Sequence, residues 1–473
     1  MSEIRYETAT VSGEPGTIEA RGEQFIAAID YAFLTTPRRG ELTLRQLDRF
    51  RAERTRLTMA FDDAQPPRSV SSEQPVATFG AFDGSLCVRE GMVIPSWMIT
   101  EVTVRGTHRR RGILSTMMRA SLRQAREQGF ALAALTASEG AIYGRFGFGV
   151  AAYGTAMTVR AHHGLQLRAG VREHLESAGF RVILPSWEGF RDAYDAIYPR
   201  FQRSHVGQIG NTEAYRQRAS GSTNAWARVG ISDEYRPMLV LDRAGEPAGF
   251  ALAVPDGERR LRIGDIGALT PLAELALWDA LAATDLVGEL VWEEASVETP
   301  LRWALANGRD LVTGEASDTL WVRLLDLDAA FTARGLATDG TLILTVDDAE
   351  GFIGGSWVID QQGGCTRVER LEFRSSQAPA GSEAPADSGA ARTETVAAGD
   401  TATAAGESAA ADPRLSSALQ LRLDAEALAS LYLGAVDVRT LVALGRAHAD
   451  SDDLPQLERL LAAHTAPRNT YHF

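Results

Sequence analysis

The sequence predicts a mixed α/β fold divided into three domains, and three observations lead to that class. First, 473 residues are more than one hydrophobic core supports, because domains cluster near about 100–150 residues. Second, β-rich runs alternate with helical ones, which calls for sheets covered by helices. Third, two strand–loop–helix segments, one opening at Ser96 and the other at Leu261, look like degenerate copies of each other. Domains are expected near 1–155, 156–310 and 311–473.

In order along the chain, PVATFGAFDGSLCV is a hairpin-like run, and SWMITEVTV (Ser96 to Val104) reads as a strand rich in β-branched residues. From Gly112 to Gln128, Ile113, Leu114, Met117, Met118, Leu122 and Ala125 recur at helical spacing, and Gly129 stops the helix. Arg119, Arg123 and Arg126 fall on its other side. The second copy has MLVLDRAGEPAGFALAV as a hairpin and LRIGDIGAL as a strand, followed by Thr270 as N-cap, Pro271 as first helical residue and LAELALWDALAA as helix. It lacks the arginines and the loop glycine. Near the end, TLILTV reads as a strand and DAEALASLYLGAVDVRTLVALGRA as helical with a turn at Gly434. Between them, residues 376–414 hold no aromatic residue and a single valine, Val396. Such a segment has too little to bury, so it reads as a disordered insertion within the third domain.

Composition narrows the function. Apolar residues make up 45% and charged residues 23% of the chain, as in soluble globular proteins, and the net charge is −14. That balance argues against nucleic acid or an anionic membrane as the main partner. All 48 basic side chains are arginine, with no lysine anywhere, so amine-nucleophile chemistry and a Walker-type lysine loop are excluded. Cys87 and Cys365 fit no metal-ligand spacing, and no metal site is expected. The N-terminus lacks a signal-peptide core and no long apolar run occurs, so a cytoplasmic protein is expected. Trp278, Trp303 and Trp321 read as packing residues, and His108 as a loop residue rather than a catalyst.

Against that acidic background, THRRRGILSTMM stands out. A helix N-terminus offers unpaired N–H groups and the positive end of a dipole, and a glycine lets a phosphate approach the backbone. Arg109, Arg110 and Arg111 add planar donors suited to phosphate oxygens. An arginine triplet alone is also what a solvated surface looks like, but here it lies directly between a strand and a helix. The pattern Arg109-x-x-Gly112 resembles the coenzyme A loop of GNAT-type N-acetyltransferases, with Leu114 departing from the small residue expected last. FALAALTASEGAIYGRFGFGVA, with Tyr143 ahead of Gly147-Phe148, resembles that superfamily's next strand and turn. Together with LWVRLLDLDAAFTARGLA, LASLYLGAVDVRTL and the closing TYHF, these motifs resemble the Eis (enhanced intracellular survival) family over nearly the whole chain.

The resemblance implies two tandem GNAT-like domains, the second degenerate, followed by a sterol-carrier-protein-like domain, assembled as a homohexamer built as a trimer of dimers. It implies acetyl-CoA as co-substrate and a cationic amine, an aminoglycoside-like small molecule or a lysine side chain, as acceptor. Val102, Thr103 and Val104 would hold the pantetheine arm through main-chain groups, and Arg109, Arg110, Gly112, Ile113 and Leu114 the pyrophosphate. Ser138 and Glu139 resemble residues beside the pantetheine, though a helix cap and first-turn acid would look the same. Tyr143 is the implied general acid, since a phenol of pKa about 10 stays protonated at neutral pH. The carboxylate at Phe473 is the implied general base, although its reference pKa of about 3.5 makes it a weak one. His472 stands where members of the family carry an acid, and Asp30 is a candidate for the acceptor pocket. A function of another class, a lipid or small-molecule binder with a lapsed acetyltransferase module, is the alternative.

Overall fold

The structure is a computed structural model and describes residues 4–161, 164–221, 235–371 and 413–473. The expected disordered insertion therefore lies outside the described residues, apart from its last two positions. The first copy contains β1 (Ile4–Thr10), α1 (Ala20–Ala32), α2 (Glu41–Ala52), β2 (Arg56–Asp62), β3 (Ala77–Arg89), β4 (Met92–Val104), α3 (Ile113–Glu127), β5 (Leu132–Leu135) and β6 (Gly149–Arg160). The second contains α4 (Ala169–Ala178), β7 (Arg181–Ile183), α5 (Trp187–Arg203), α6 (Glu213–Ala219), β8 (Arg236–Leu241), β9 (Pro247–Pro255), β10 (Arg260–Ala268), α7 (Pro271–Ala282), β11 (Glu289–Ser296), α8 (Leu301–Ala304) and β12 (Leu311–Leu324). After these come α9 (Leu327–Arg334), β13 (Gly340–Asp347), β14 (Gly355–Gln362), β15 (Cys365–Leu371), α10 (Pro413–Ser416), β16 (Leu419–Asp424), α11 (Ala425–Tyr432), α12 (Val438–Ala443), β17 (Ala447–His448) and α13 (Leu454–Leu461). No described helix is long and apolar enough to cross a membrane.

Both copies join one 12-stranded sheet in the order β1-β2-β3-β4-β5-β12-β6-β11-β10-β9-β8-β7, and a 5-stranded sheet, β15-β14-β13-β16-β17, forms the third domain. The duplication is visible in that order. In each copy a parallel pair, β4 with β5 and β10 with β11, is bridged by one helix, α3 or α7. The last strands are exchanged: β12 of the second copy lies beside β5, and β6 of the first lies beside β11. Strand β12, placed by the sequence at the start of the third domain, thus belongs to the large sheet. Residue 155, the expected end of the first domain, falls within β6.

Packing explains where the local reading succeeded and where it did not. On α3, Ile113, Met117, Met118, Leu122 and Ala125 are buried at the expected spacing. Its opposite face is not simply solvated, because Arg119 pairs with Glu350 and Arg126 with Asp326, both in the third domain. The hairpin-like run PVATFGAFDGSLCV is instead one continuous strand, β3, paired with β4 from Ala77↔Val104 to Arg89↔Met92. Within it Gly84 serves close approach: a Cβ there would lie 2.3 Å from Met98 Cγ. Trp278 and Trp321 are buried, but Trp303 is 75% exposed, since the single turn of α8 buries Leu301 and Ala304 and turns Trp303 outward. A third link to that domain is Arg323 with Asp348, 2.6 Å apart and fully buried.

Candidate active site

Strands β4 and β5 pair in parallel only from Ser96↔Leu132 to Ile99↔Leu135, after which β5 ends and β4 continues alone on that side. Val102 and Val104 therefore keep a main-chain edge without a β5 partner. The register against β3 shifts between Thr78 and Gly80, which gives β4 an extra residue at this point. Glu101 accommodates it with φ of +51°, a left-handed conformation uncommon outside glycine. Burial raises the Glu101 pKa, opposed by the charges of Arg49 and Arg38. The sequence reading missed Glu101; its only local signal is an acid within an otherwise apolar and hydroxyl-bearing strand.

The gap opens into a cavity of about 660 Å³ lined by Val102, Thr103, Val104, Arg109, Arg110, Gly112, Ile113, Leu114, Ser138, Glu139 and Tyr143. Every residue expected around the coenzyme thus faces one space, of the size of a ligand site. Gly112 is the N-cap of α3 with φ of +79° and no side-chain cap. A Cβ there would meet nothing within 4 Å. The N–H groups of Ile113, Leu114 and Ser115 begin the helix without intrahelical acceptors, and Ser115 also lines the cavity. The second copy differs at the equivalent helix, where the Thr270 hydroxyl accepts from the Ala273 N–H at 3.2 Å and Pro271 has no N–H to give.

The arginines divide their work. Asp62, at the end of β2, accepts from Arg111 at 3.0 Å and holds His108 Nε2 at 3.1 Å, so these two residues pin the loop. Arg109 and Arg110 stay exposed, and Arg109 reaches to 3.8 Å from Glu139 across the two lips of the cavity. Ser138 and Glu139 are exposed, and Glu139 makes no capping hydrogen bond with its side chain. Asp30 does not line this cavity. Its carboxylate accepts from the Arg38 N–H at 2.7 Å and Arg38 Nε at 2.8 Å, which shapes the α1–α2 loop, and Ala32 and Phe33 face the cavity instead.

Tyr143 sits in the turns after β5, its ring 6.2 Å from Phe148 and 6.3 Å from Trp321 of the exchanged strand β12. Its hydroxyl has no hydrogen-bond partner among the described residues. Burial, then the nearby Glu139 charge, pushes its pKa up to about 12.

Residues Arg468 to Tyr471 and Phe473 are buried. The Phe473 ring packs edge-on against Phe82 at 5.9 Å, and its main-chain oxygen accepts from Thr136 Oγ1 at 3.0 Å. Thr136 directly follows β5, so this segment reaches the same strand end that opens the cavity. The half-exposed His472 imidazole lies 3.5 Å from Glu294 of β11.

Comparison with known proteins agrees with this architecture. Two acetyltransferase (GNAT) domain families match residues 18–151 and 219–324, and a sterol carrier protein domain family matches 327–468. An uncharacterized N-acetyltransferase of Streptomyces avermitilis is 30% identical over 72% of this chain and 79% of its own length. N-acetyltransferase Eis of Mycobacterium bovis is 26% identical over 83% of this chain and 84% of its own. Among solved structures, Eis1 of Mycobacterium abscessus superposes with a TM-score of 0.68 at 19% identity, over 99% of this chain and 100% of that one. A GCN5-related N-acetyltransferase of Anabaena variabilis gives 0.70 at 16%, with the same coverage. Two GNAT units joined in one sheet, a third domain of the sterol-carrier type and these relatives together make the chain an N-acetyltransferase of the Eis family.

Proposed function

We propose that the enzyme moves the acetyl group of acetyl-CoA directly to a primary amine of a cationic small molecule or of a lysine side chain. The observation that carries this reading is the convergence of the free β4 edge, the open N-terminus of α3 and Tyr143 on one cavity. The dimensions and donors of that cavity suit the coenzyme. Backbone N–H groups of Ile113 to Ser115, with Arg109 and Arg110, take the pyrophosphate oxygens, and the edge at Val102 to Val104 pairs with the pantetheine amides. The thioester supplies an activated acyl group and a thiolate leaving group.

The amine nitrogen attacks the carbonyl carbon, a main-chain N–H near Val104 stabilises the oxyanion, and the C–S bond then breaks. Tyr143 donates toward the departing sulfur. The carboxylate at Phe473 draws in the cationic acceptor and receives the proton that the nitrogen sheds, passing it to water. Glu294, beside His472, adds negative charge close to that path, which favours a cation as acceptor. A lapsed module would have no reason to keep the arginines, the open glycine and the tyrosine around one space. Following the sheet, we place the start of the third domain after Leu324 and treat the two GNAT units as one body. Hexameric assembly is proposed on the family resemblance and is checked by light scattering.

The test is a screen of amines with acetyl-CoA, read by release of free thiol. Turnover with polyamines, aminoglycosides or lysine peptides supports the proposal; no thiol release with any amine, despite coenzyme binding, overturns it. Residues appended after Phe473 should suppress turnover while coenzyme binding persists.

A further inference from the structure

In the second copy the helix equivalent to α3 has a closed N-terminus, yet that copy holds a buried acid that the mechanism leaves unused. Asp265 lies on β10 just after a register shift between Ile263 and Asp265. The irregularity is packed in place: the Gly264 carbonyl accepts from Arg218 Nη1 at 2.8 Å, and a Cβ on Gly264 would come 2.4 Å from Tyr235 Cε1. The bulge leaves Asp265 buried, where its Oδ2 accepts from the Tyr471 hydroxyl at 2.6 Å.

Tyr471 is held on every side. Its ring stacks on Tyr215 at 3.5 Å with 2° between planes, and on Tyr198 at 5.3 Å. The Tyr194 hydroxyl lies 2.5 Å from its own. Around it the backbone is fastened too: the His472 N–H donates to the Tyr215 hydroxyl at 2.9 Å, and Asn469 Nδ2 donates to the Thr319 carbonyl at 3.0 Å and to the Tyr471 carbonyl at 2.6 Å. Phe473 follows two residues later, within a reach of about 7 Å, at Thr136 of the first copy. Displacing Tyr471 therefore displaces Phe473.

A buried carboxylate is an expensive way to hold a tyrosine, since burial of the charge costs free energy that an apolar contact would not. What the acid adds is direction: it fixes one position for one hydroxyl, as a charge-assisted hydrogen bond does. We propose that Asp265 is a positioning residue for acetyl transfer, latching Tyr471 and through it setting where the Phe473 carboxylate stands beside the cavity of the first copy. The degenerate copy then serves catalysis without binding substrate. This rests on the reading of that carboxylate as the proton acceptor.

The experiment compares Asp265→Ala, Asp265→Asn and Tyr471→Phe in the full chain, by steady-state kinetics with acetyl-CoA and the best amine of the screen, and by hydrogen exchange of the segment 468–473. Asp265→Ala should lower kcat at least tenfold with KM for acetyl-CoA within twofold of the parent, and the segment should exchange at least tenfold faster. Asp265→Asn keeps an oxygen acceptor and should restore both readouts to within threefold. Tyr471→Phe breaks the same bond from the other side and decides the matter if Asp265→Ala does not fold. Parental exchange and kcat in both Asp265→Ala and Tyr471→Phe would overturn the latch. Faster exchange with unchanged kcat would instead overturn the role of the Phe473 carboxylate.

Discussion

Tyr143→Phe removes one oxygen atom from the cavity and leaves the packing in place, so its effect follows from the structure. The ring stays between Phe148 and Trp321, and no hydrogen bond among the described residues is lost, so stability should change by about 1 kcal/mol or less. Chemistry should suffer far more. With its pKa pushed up to about 12 by burial, the phenol stays protonated at any assay pH, and it is a weaker acid than a thiol of pKa about 8.5. It cannot hand a proton to a free thiolate favourably. It donates to sulfur while charge builds there, which puts the loss at the lower end of the range for a general acid, about 10²-fold, or about 2.7 kcal/mol of barrier. Thiol-release kinetics, calorimetry with acetyl-CoA and thermal unfolding measure the three quantities. The variant should bind acetyl-CoA within twofold of the parent and melt at the parental temperature while kcat falls about a hundredfold. A kcat within threefold of the parent would remove Tyr143 from the mechanism.

Arg110→Ala, at the exposed lip of the α3 N-terminus, should weaken acetyl-CoA binding about tenfold by loss of a charge-assisted hydrogen bond, and the gap should narrow at high salt. Calorimetry at two ionic strengths checks this, and equal affinity would count against the pyrophosphate position. Asp348→Ala strips the counter-charge from Arg323, which is fully buried; such a break costs about 3–5 kcal/mol, and denaturant unfolding should show it, whereas a loss below 1 kcal/mol contradicts the account of that interface. Asp265 carries a pH signature as well. Burial displaces its pKa from 3.8 to about 6, so wild type carries the full penalty of the charged form above pH 6 and none below the unfolded value. Asp265→Asn should therefore be more stable than wild type at pH 8, by at most about 3 kcal/mol, with the advantage fading between pH 6 and 4. Thermal unfolding across that range checks the sign, and an advantage that grew toward low pH would refute it.

Elements governed by local periodicity and by single special residues were readable in the sequence. The buried stripe of α3, its start at Gly112, its stop before Gly129 and the turn at Gly434 follow from apolar spacing and from glycines that adopt positive φ. The cavity lining from Val102 to Tyr143 was also readable, because these residues lie within about fifty positions of one another on a recognisable strand–loop–helix order, whereas Ala32 and Phe33, from the end of α1, carried no such signal. Long-range choices were not. Strands β6 and β12 are equally β-rich, and nothing local says that each completes the other copy. The sequence placed Arg119 and Arg126 on the far side of α3 but not their partners, because Glu350 and Asp326 are about two hundred residues away. Asp30 is an acid near the cavity whose oxygens are already taken by Arg38. The closing residues RNTYHF are polar enough to suggest fraying, yet all but the half-exposed His472 are buried, and hydrogen bonds to Asp265, Tyr215 and Asn469 hold Tyr471 and the backbone beside it.

The most direct test of the central claim is a crystal structure of the enzyme with acetyl-CoA. The account predicts the pyrophosphate within hydrogen-bonding distance of the Ile113 to Ser115 amides, with the pantetheine along Val102 to Val104 and the thioester sulfur facing Tyr143. Coenzyme bound in the second copy, between β10 and β11, or anywhere away from the N-terminus of α3, would contradict it.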